Sequence, residues 1–306
     1  MKRVLFGFCL AALAVALMYG RDHRAGNMKT AGKALITSDN CNDRFQGSQG
    51  RFAAEARGEE TRTLANQPLN IRAEKNGAVQ VTTWDGPDFS IKLCKYAAAN
   101  DEAAARAIID ETKVAVEGST VSVAAPENLV HSYLGALLLV KAPKAATVNL
   151  KVKNGGASIY KFDGTADAET TNGGITLRNS TGKLTVQAKN GGVSIRDCSG
   201  DVSATAANGG ISIDLPEQWE GKGLEAHTYN GGLSIAIPKN FSSGLEVVSA
   251  RRVGVVCRGT ACQNAQKTVE DGRQTLRLGS SPAQVHASTQ NGGIVIKELE
   301  REYTKE

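Results

Sequence analysis

The feature that most restricts this chain is a recurring Asn-Gly-Gly triplet. It stands at Asn154-Gly155-Gly156, Asn172-Gly173-Gly174, Asn190-Gly191-Gly192 and Asn208-Gly209-Gly210, with a spacing of 18 residues each time. It returns at Asn230-Gly231-Gly232 after 22 residues and at Asn291-Gly292-Gly293 near the C-terminus. Each triplet leads into an apolar–polar–apolar stretch: Ala157-Ser158-Ile159, Ile175-Thr176-Leu177, Val193-Ser194-Ile195, Ile211-Ser212-Ile213, Leu233-Ser234-Ile235 and Ile294-Val295-Ile296. Asn76-Gly77-Ala78-Val79-Gln80-Val81 reads as a degenerate earlier copy. A fixed period of this kind marks an array of one supersecondary unit.

One unit can be read from its residue types. Asn and Gly tolerate positive φ, so the triplet is expected to turn the chain at little steric cost. The alternation after it is that of a half-buried strand. A second turn follows at Asp163-Gly164, Thr181-Gly182 or Ser199-Gly200, and then a longer strand with smaller inward residues, as in Leu184, Val186 and Ala188. Hairpins in a β-meander would use the same turns, but they do not require units of constant length. Stacked coils do, because each superposes on the next. Stacking would also bring successive Asn side chains about 4.8 Å apart, close enough for a hydrogen-bonded ladder. The expectation is therefore an all-β, solenoid-like β-helix or β-roll of ~18-residue coils, with the thin aliphatic core that 5% aromatic content implies.

Around the repeats the text is less regular. Strands are expected at Leu69–Ile71, Val79–Val81, Phe89–Leu93, Thr120–Val123, Leu137–Val140 and Val148–Leu150. One short helix is expected near residues 101–112, its start marked by Asn100-Asp101-Glu102. The chain divides into an N-terminal segment 1–20, a polar lead-in 21–60, a β segment with the helix 61–150, the regular repeats 151–240, and C-terminal β coils with a cap 241–306.

The repeats resemble those of the bacterial putative-adhesin family, a domain of unknown function. The likeness rests on Val140-Lys141-Ala142-Pro143-Lys144 at the entry to the repeats, the Asn-Gly-Gly-Ile-x-Ile units, Ile235-Ala236-Ile237-Pro238, and Leu278-Gly279 ahead of the last triplet. It covers roughly Leu69 to Lys297. The resemblance implies a solenoid-like β architecture and frequent export or membrane association, and it brings no catalytic residues.

Met1-Lys2-Arg3 followed by an apolar run from Val4 to Tyr19 fits a secretory signal, with an uncleaved anchor as the other reading. Five cysteines lie beyond that run. In an oxidising compartment Cys257 with Cys262 and Cys41 with Cys94 are the candidate disulfides, leaving Cys198 over. Zinc is disfavoured, since there is no Cys-x-x-Cys pair and His23, His131, His227 and His286 are scattered. The formal charge of +5 falls to about +3 without Lys2 and Arg3, and no basic block offers a footprint for nucleic acid.

Calcium-binding β-rolls share the 18-residue period, but Val193 and Ile195 stand where a liganding pattern needs Gly and Asp. A polysaccharide lyase or hydrolase would need paired carboxylates in a cleft; Asp163, Asp167, Glu169, Asp197 and Asp201 read as turn or outward residues. No cofactor and no catalytic residue is indicated. For binding, Ser158, Thr176, Ser194, Ser212 and Ser234 form an outward polar row, with Trp84, Trp219 and Tyr229 as candidates for stacking on sugar rings. Solvation and burial are the ordinary uses of such residues. An exposed edge strand at either end of the array would permit self-assembly unless the irregular end segments cap it. The combined expectation is a non-catalytic, adhesin-like scaffold, exported to the periplasm, cell surface or medium, with an envelope or extracellular glycan or protein as partner. Membrane contact follows only if the N-terminal segment is retained. A carbohydrate-active enzyme and a membrane-anchored envelope regulatory module are the alternatives.

Overall fold

The computed structural model describes residues 39–45, 52–250 and 254–299. The signal or anchor expected over 1–20, Cys9, His23 and the lead-in up to residue 38 lie outside them. The described residues form a large mixed sheet with one short α-helix. Strands β1 (Ala54–Leu64), β2 (Leu69–Thr83) and β3 (Phe89–Ala99) precede helix α1 (Glu102–Glu111), and β4 (Lys113–Glu117), β5 (Thr120–Ala124) and β6 (Tyr133–Ala142) follow it. The repeats supply β7 (Thr147–Asn154), β8 (Ala157–Tyr160), β9 (Thr165–Asn172), β10 (Ile175–Arg178), β11 (Lys183–Asn190), β12 (Val193–Arg196), β13 (Asp201–Ala206), β14 (Ile211–Asp214), β15 (Gly223–Thr228) and β16 (Leu233–Ile237). The remainder is β17 (Leu245–Ser249), β18 (Val255–Cys257), β19 (Gln266–Glu270), β20 (Arg273–Leu278), β21 (Val285–Thr289) and β22 (Ile294–Glu298).

Equivalent strands of successive repeats pair in parallel and in register. Ile175 stands opposite Ala157 and Val193, and Leu184 opposite Ala166 and Val202. The short strands β8, β10, β12, β14 and β16 make one column, and the long strands β7, β9, β11, β13 and β15 make another. Strand β2 serves both: Leu69–Ala73 pairs with β7, Val79–Thr82 with β8, and a register shift between Ala73 and Asn76 carries it across. The degenerate copy at Asn76 thus takes its place opposite Asn154. Inward residues of both columns, such as Ile159, Leu177, Ile195 and Ile213 facing Leu150, Ala168, Val186 and Ala204, are buried in one aliphatic cluster.

All the Asn-Gly-Gly turns but the first, where Gly155 stands at φ 149°, depart from the expected mechanism. Gly173, Gly191, Gly209, Gly231 and Gly292 are not in the left-handed region. Proximity is what excludes a side chain there: a Cβ on Gly191 would lie 2.2 Å from the carbonyl oxygen of Gly173, and one on Gly173 1.8 Å from that of Gly155. The ladder simply continues through the turn, with Gly173 N–H donating to Asn190 O and Ile175 N–H to Gly192 O. Positive φ is needed instead on the opposite side of the unit, at Gly182 (99°) and Gly200 (103°), and at the corner residues Lys161, Asn179 and Asp197. The Asn amides form a continuous ladder: Asn172 to Asn154 (2.9 Å), Asn190 to Asn172 (3.1 Å), Asn208 to Asn190 (3.0 Å), Asn230 to Asn208 (3.0 Å) and Asn291 to Asn230 (2.9 Å).

The last hydrogen bond of that ladder reveals an order that differs from the sequence. β21 lies between β15 and β17, and β22 between β16 and β18, all in parallel. The chain therefore passes over one position, lays down β17 and β18, makes the antiparallel β19–β20 hairpin against β17, and returns to occupy the vacancy. Asp271 and Gly272, both at positive φ, close that hairpin, as a type I′ turn requires. Strands β21 and β22 thus lie inside the array, with β17 and β18 beyond them.

At the other end, β3 and β6 pair antiparallel, and β1 lines the outside of β3. Strand β1 begins at Ala54, within the stretch expected to be a polar lead-in; its Glu and Arg residues suit an exposed edge and mask the alternation of a buried strand. Asp101 caps α1 by accepting from Ala104 N–H (2.7 Å). Ala105, Ile108 and Ile109 seat the helix on Ala97, Ala99 and Leu134. Buried Lys95 donates to Ile109 O and Thr112 O at the C-terminal end of the helix, where a cation is favoured. Cys41 is bonded to Cys94 and Cys257 to Cys262.

Two measurements follow from this packing. Gly191→Ala is expected to cost about 2–3 kcal/mol in urea unfolding, because a Cβ there meets backbone and not a movable side chain. Gly254→Ala, with 3.7 Å to the nearest atom, is expected to cost under about 0.5 kcal/mol. Burial pushes the Cys198 thiol from 9.0 up to about 11. Above pH 9 the unfolded chain loses this proton first, so stability is lost as pH rises towards about 11, by about 2–3 kcal/mol from this group. The difference between wild type and Cys198→Ala in unfolding free energy should therefore vary over that window and be constant below it.

Candidate binding surfaces

Parallel in-register stacking copies each outward position into a row that crosses the strands. On the short-strand column Ser158, Thr176, Ser194, Ser212 and Ser234 form such a row, each half-buried, with Gln80 at one end and Val295 at the other. The next outward row is Tyr160, Arg178, Arg196 and Asp214, with Arg196 Nε 3.5 Å from Asp214 Oδ2. The expected hydroxyl row is thus contiguous, but the aromatic residues considered beside it are elsewhere. Trp219 is a correction: it is 2% exposed, its indole donates to Gly200 O (3.1 Å), and it fills the corner widened by the insertion at Leu215–Trp219. A large apolar ring gains more by filling that corner than by facing water. Tyr229 is 46% exposed, but on the long-strand side, with its ring perpendicular to that of His227 at 4.5 Å.

On the outer face of the long-strand column lies a groove of about 380 Å³ that the sequence reading did not identify. Its floor is two adjacent rows. One runs Thr205, His227, Ser288 and Val248; the other Ser203, Glu225, His286 and Glu246. Arg273 of the β19–β20 hairpin stands at its margin. His227 Nδ1 lies 2.8 Å from Ser288 Oγ. Glu246 is paired with Arg277, and its other oxygen is 3.8 Å from His286 Nδ1. The side chains of Glu225 and Arg273 have no hydrogen-bond or ion-pair partner among the described residues. Because β21 is laid between β15 and β17, His286 and Ser288 are inserted between residues some 40 to 60 positions earlier. No spacing rule in the sequence signals that meeting.

A second cleft of about 500 Å³ lies between β1 and α1. Its cations are committed to the fold, Arg57 to Asn42 O and Phe45 O and Arg106 to Glu102. The acidic residues Asp163, Asp167 and Glu169 are exposed at turns or on outward strand positions. Among the described residues no three His, Cys, Asp or Glu side chains are grouped to hold a metal ion, and no helix is long and apolar enough to cross a membrane.

No protein-family pattern and no curated protein matches the chain. Among solved structures it is similar to a putative cell adhesion protein from Clostridium sporogenes (11% identity, TM-score 0.32, covering 80% of this chain and 100% of that one). It is also similar to a putative adhesin from Bacteroides fragilis (13%, TM-score 0.36, 79% and 97%) and a putative lipid binding protein from Parabacteroides distasonis (11%, TM-score 0.26, 79% and 97%). Likenesses this loose assign no function.

Proposed function

We propose that the chain is a β-solenoid of ~18-residue coils, exported and non-catalytic, that presents a rigid surface for binding a glycan or protein of the cell envelope or its surroundings. The observation that carries this reading is the in-register parallel pairing, which repeats each outward side chain at a constant step of about 4.8 Å. A surface ordered by its own backbone ladder loses little entropy on binding an extended partner. The bonded pairs Cys41–Cys94 and Cys257–Cys262 support an oxidising, extracytoplasmic location. In this reading segments 61–150 and 241–306 close the two ends of the array, and retention of Val4–Tyr19 would make the protein an anchored envelope module.

The carbohydrate-active enzyme is the second reading, and the groove bears on it, since Glu225 and Glu246 stand two strands apart along one row, about 9–10 Å between backbones. A general acid and base pair needs both carboxyl groups available to substrate. Glu246 is already engaged by Arg277, which favours the binding reading.

Incubating residues 21–306 with envelope fractions and a polysaccharide panel, scoring retention and product release together, tests the proposal. Saturable retention without release is the expected result. Retention is also expected to fall at least about ten-fold, with an unchanged unfolding midpoint, when either the hydroxyl row is blocked by Ser194→Arg or the groove by His227→Trp. Released oligosaccharides would overturn the non-catalytic reading, and absence of retention on every fraction would overturn the binding one.

A further inference from the structure

The geometry points to the long-strand groove as a binding site for a neutral oligosaccharide laid across the strands, roughly one sugar ring per inter-strand step. This inference rests on the binding-surface reading above and gives it a site and a ligand class.

The groove is shallow, and most of the side chains that point into it are polar. Val248 is the one aliphatic side chain pointing outward there, and the alanines between the rows face the core. A ligand lying in it therefore finds side-chain hydrogen bonds over a floor that also offers apolar contact. The uncommitted groups are of both kinds: Glu225 accepts only, Arg273 donates only, and the Ser203 and Thr205 hydroxyls do either. His227 uses Nδ1 on Ser288 and leaves Nε2 for a ligand. Vicinal hydroxyl groups, each a donor and an acceptor, are the chemistry that such a mixed set satisfies. Tyr229, 46% exposed and in perpendicular ring contact with the groove residue His227, is the aromatic side chain next to the groove on which the apolar face of a sugar can stack.

Other ligand classes fit less well. An extended peptide gains its affinity by adding to a free sheet edge, whereas the strands under this groove are paired on both sides. An acidic polymer would meet the carboxylate of Glu225 with Arg273 as the one cation not already paired. The groove's length also matches an extended chain better than a compact metabolite, since it crosses β13, β15, β21 and β17 in succession.

The test is calorimetric titration of the full chain with cellohexaose, maltohexaose and chitohexaose, with oligogalacturonate of equal length as the acidic comparison. At least one neutral hexamer is expected to bind saturably. Its affinity is expected to fall about ten-fold or more in Glu225→Gln, Arg273→Gln and Tyr229→Ala, each an exposed residue whose change leaves the circular dichroism spectrum intact. Glu117→Gln, exposed on β4 and outside both candidate surfaces, is expected to change nothing. Failure of all three neutral hexamers, preference for oligogalacturonate, or binding indifferent to the three groove variants would each overturn the assignment. Envelope retention that survives Glu225→Gln and is lost in Ser194→Arg would leave the scaffold reading standing and remove the groove from it.

Discussion

The structure depends on one close contact: the backbone of each Asn-Gly-Gly turn lies directly on the turn before it. With the carbonyl oxygen of Gly173 2.2 Å from where a Gly191 Cβ would be, no side chain can stand at that position. This closeness lets the ladder run unbroken from the long strand through the turn into the short one. Buried threonines reinforce it from inside, Thr170 donating to Gly173 O, Thr228 to Gly209 O and Thr289 to Gly231 O. Outside, the Asn amides bond from unit to unit. The turns at Gly173, Gly209 and Gly231 are thus held on three sides by hydrogen bonds and the others on two, and the aliphatic rows are in register because the turns are.

Strands paired in parallel through one sheet leave the problem of its edges, and the two ends are treated differently. At the N-terminal end the antiparallel strands β1, β3 and β6 cover the short-strand column, α1 packs across β1 and β3, and Cys41–Cys94 ties the preceding segment down. At the C-terminal end the hairpin β19–β20 flanks β17, and β19 is exposed and polar apart from Val269, as a managed edge should be. The short edge strand β18 is braced by its disulfide loop, where Thr260 donates twice to Glu298 and holds that carboxyl below its usual range. Inserting β21 and β22 between strands already placed closes the array with two parallel pairings on each side.

The same insertion creates the groove. Its floor joins rows contributed by β13, β15, β21 and β17, and its margin comes from the hairpin that the chain makes before turning back. The regular repeats on the other column give a uniform row of hydroxyls, while the irregular, out-of-order end gives a mixed set of donors and acceptors. Regularity supplies rigidity here, and the break in sequence order supplies chemical variety.

Much was determined by the sequence alone. The 18-residue period marks the unit, Ile–Ser–Ile alternation marks inward and outward faces, and the Asn column follows from the constant spacing, because these are local rules applied many times over. Helix α1 was legible from Asp101 and the apolar residues behind it. Four things were decided by tertiary structure. The role of the turn glycines depends on what lies on top of them, which no local rule contains. The burial of Trp219 depends on a corner opened by four extra residues in one unit. Strand β1 is a strand because β3 offers it a partner, and its charged residues carry no core signal. The meeting of Glu225, His286 and Glu246 requires strand β21 to enter a position left vacant by the chain earlier. Periodicity specifies how a unit is built; which units become neighbours at the irregular ends is set by packing between residues distant in sequence.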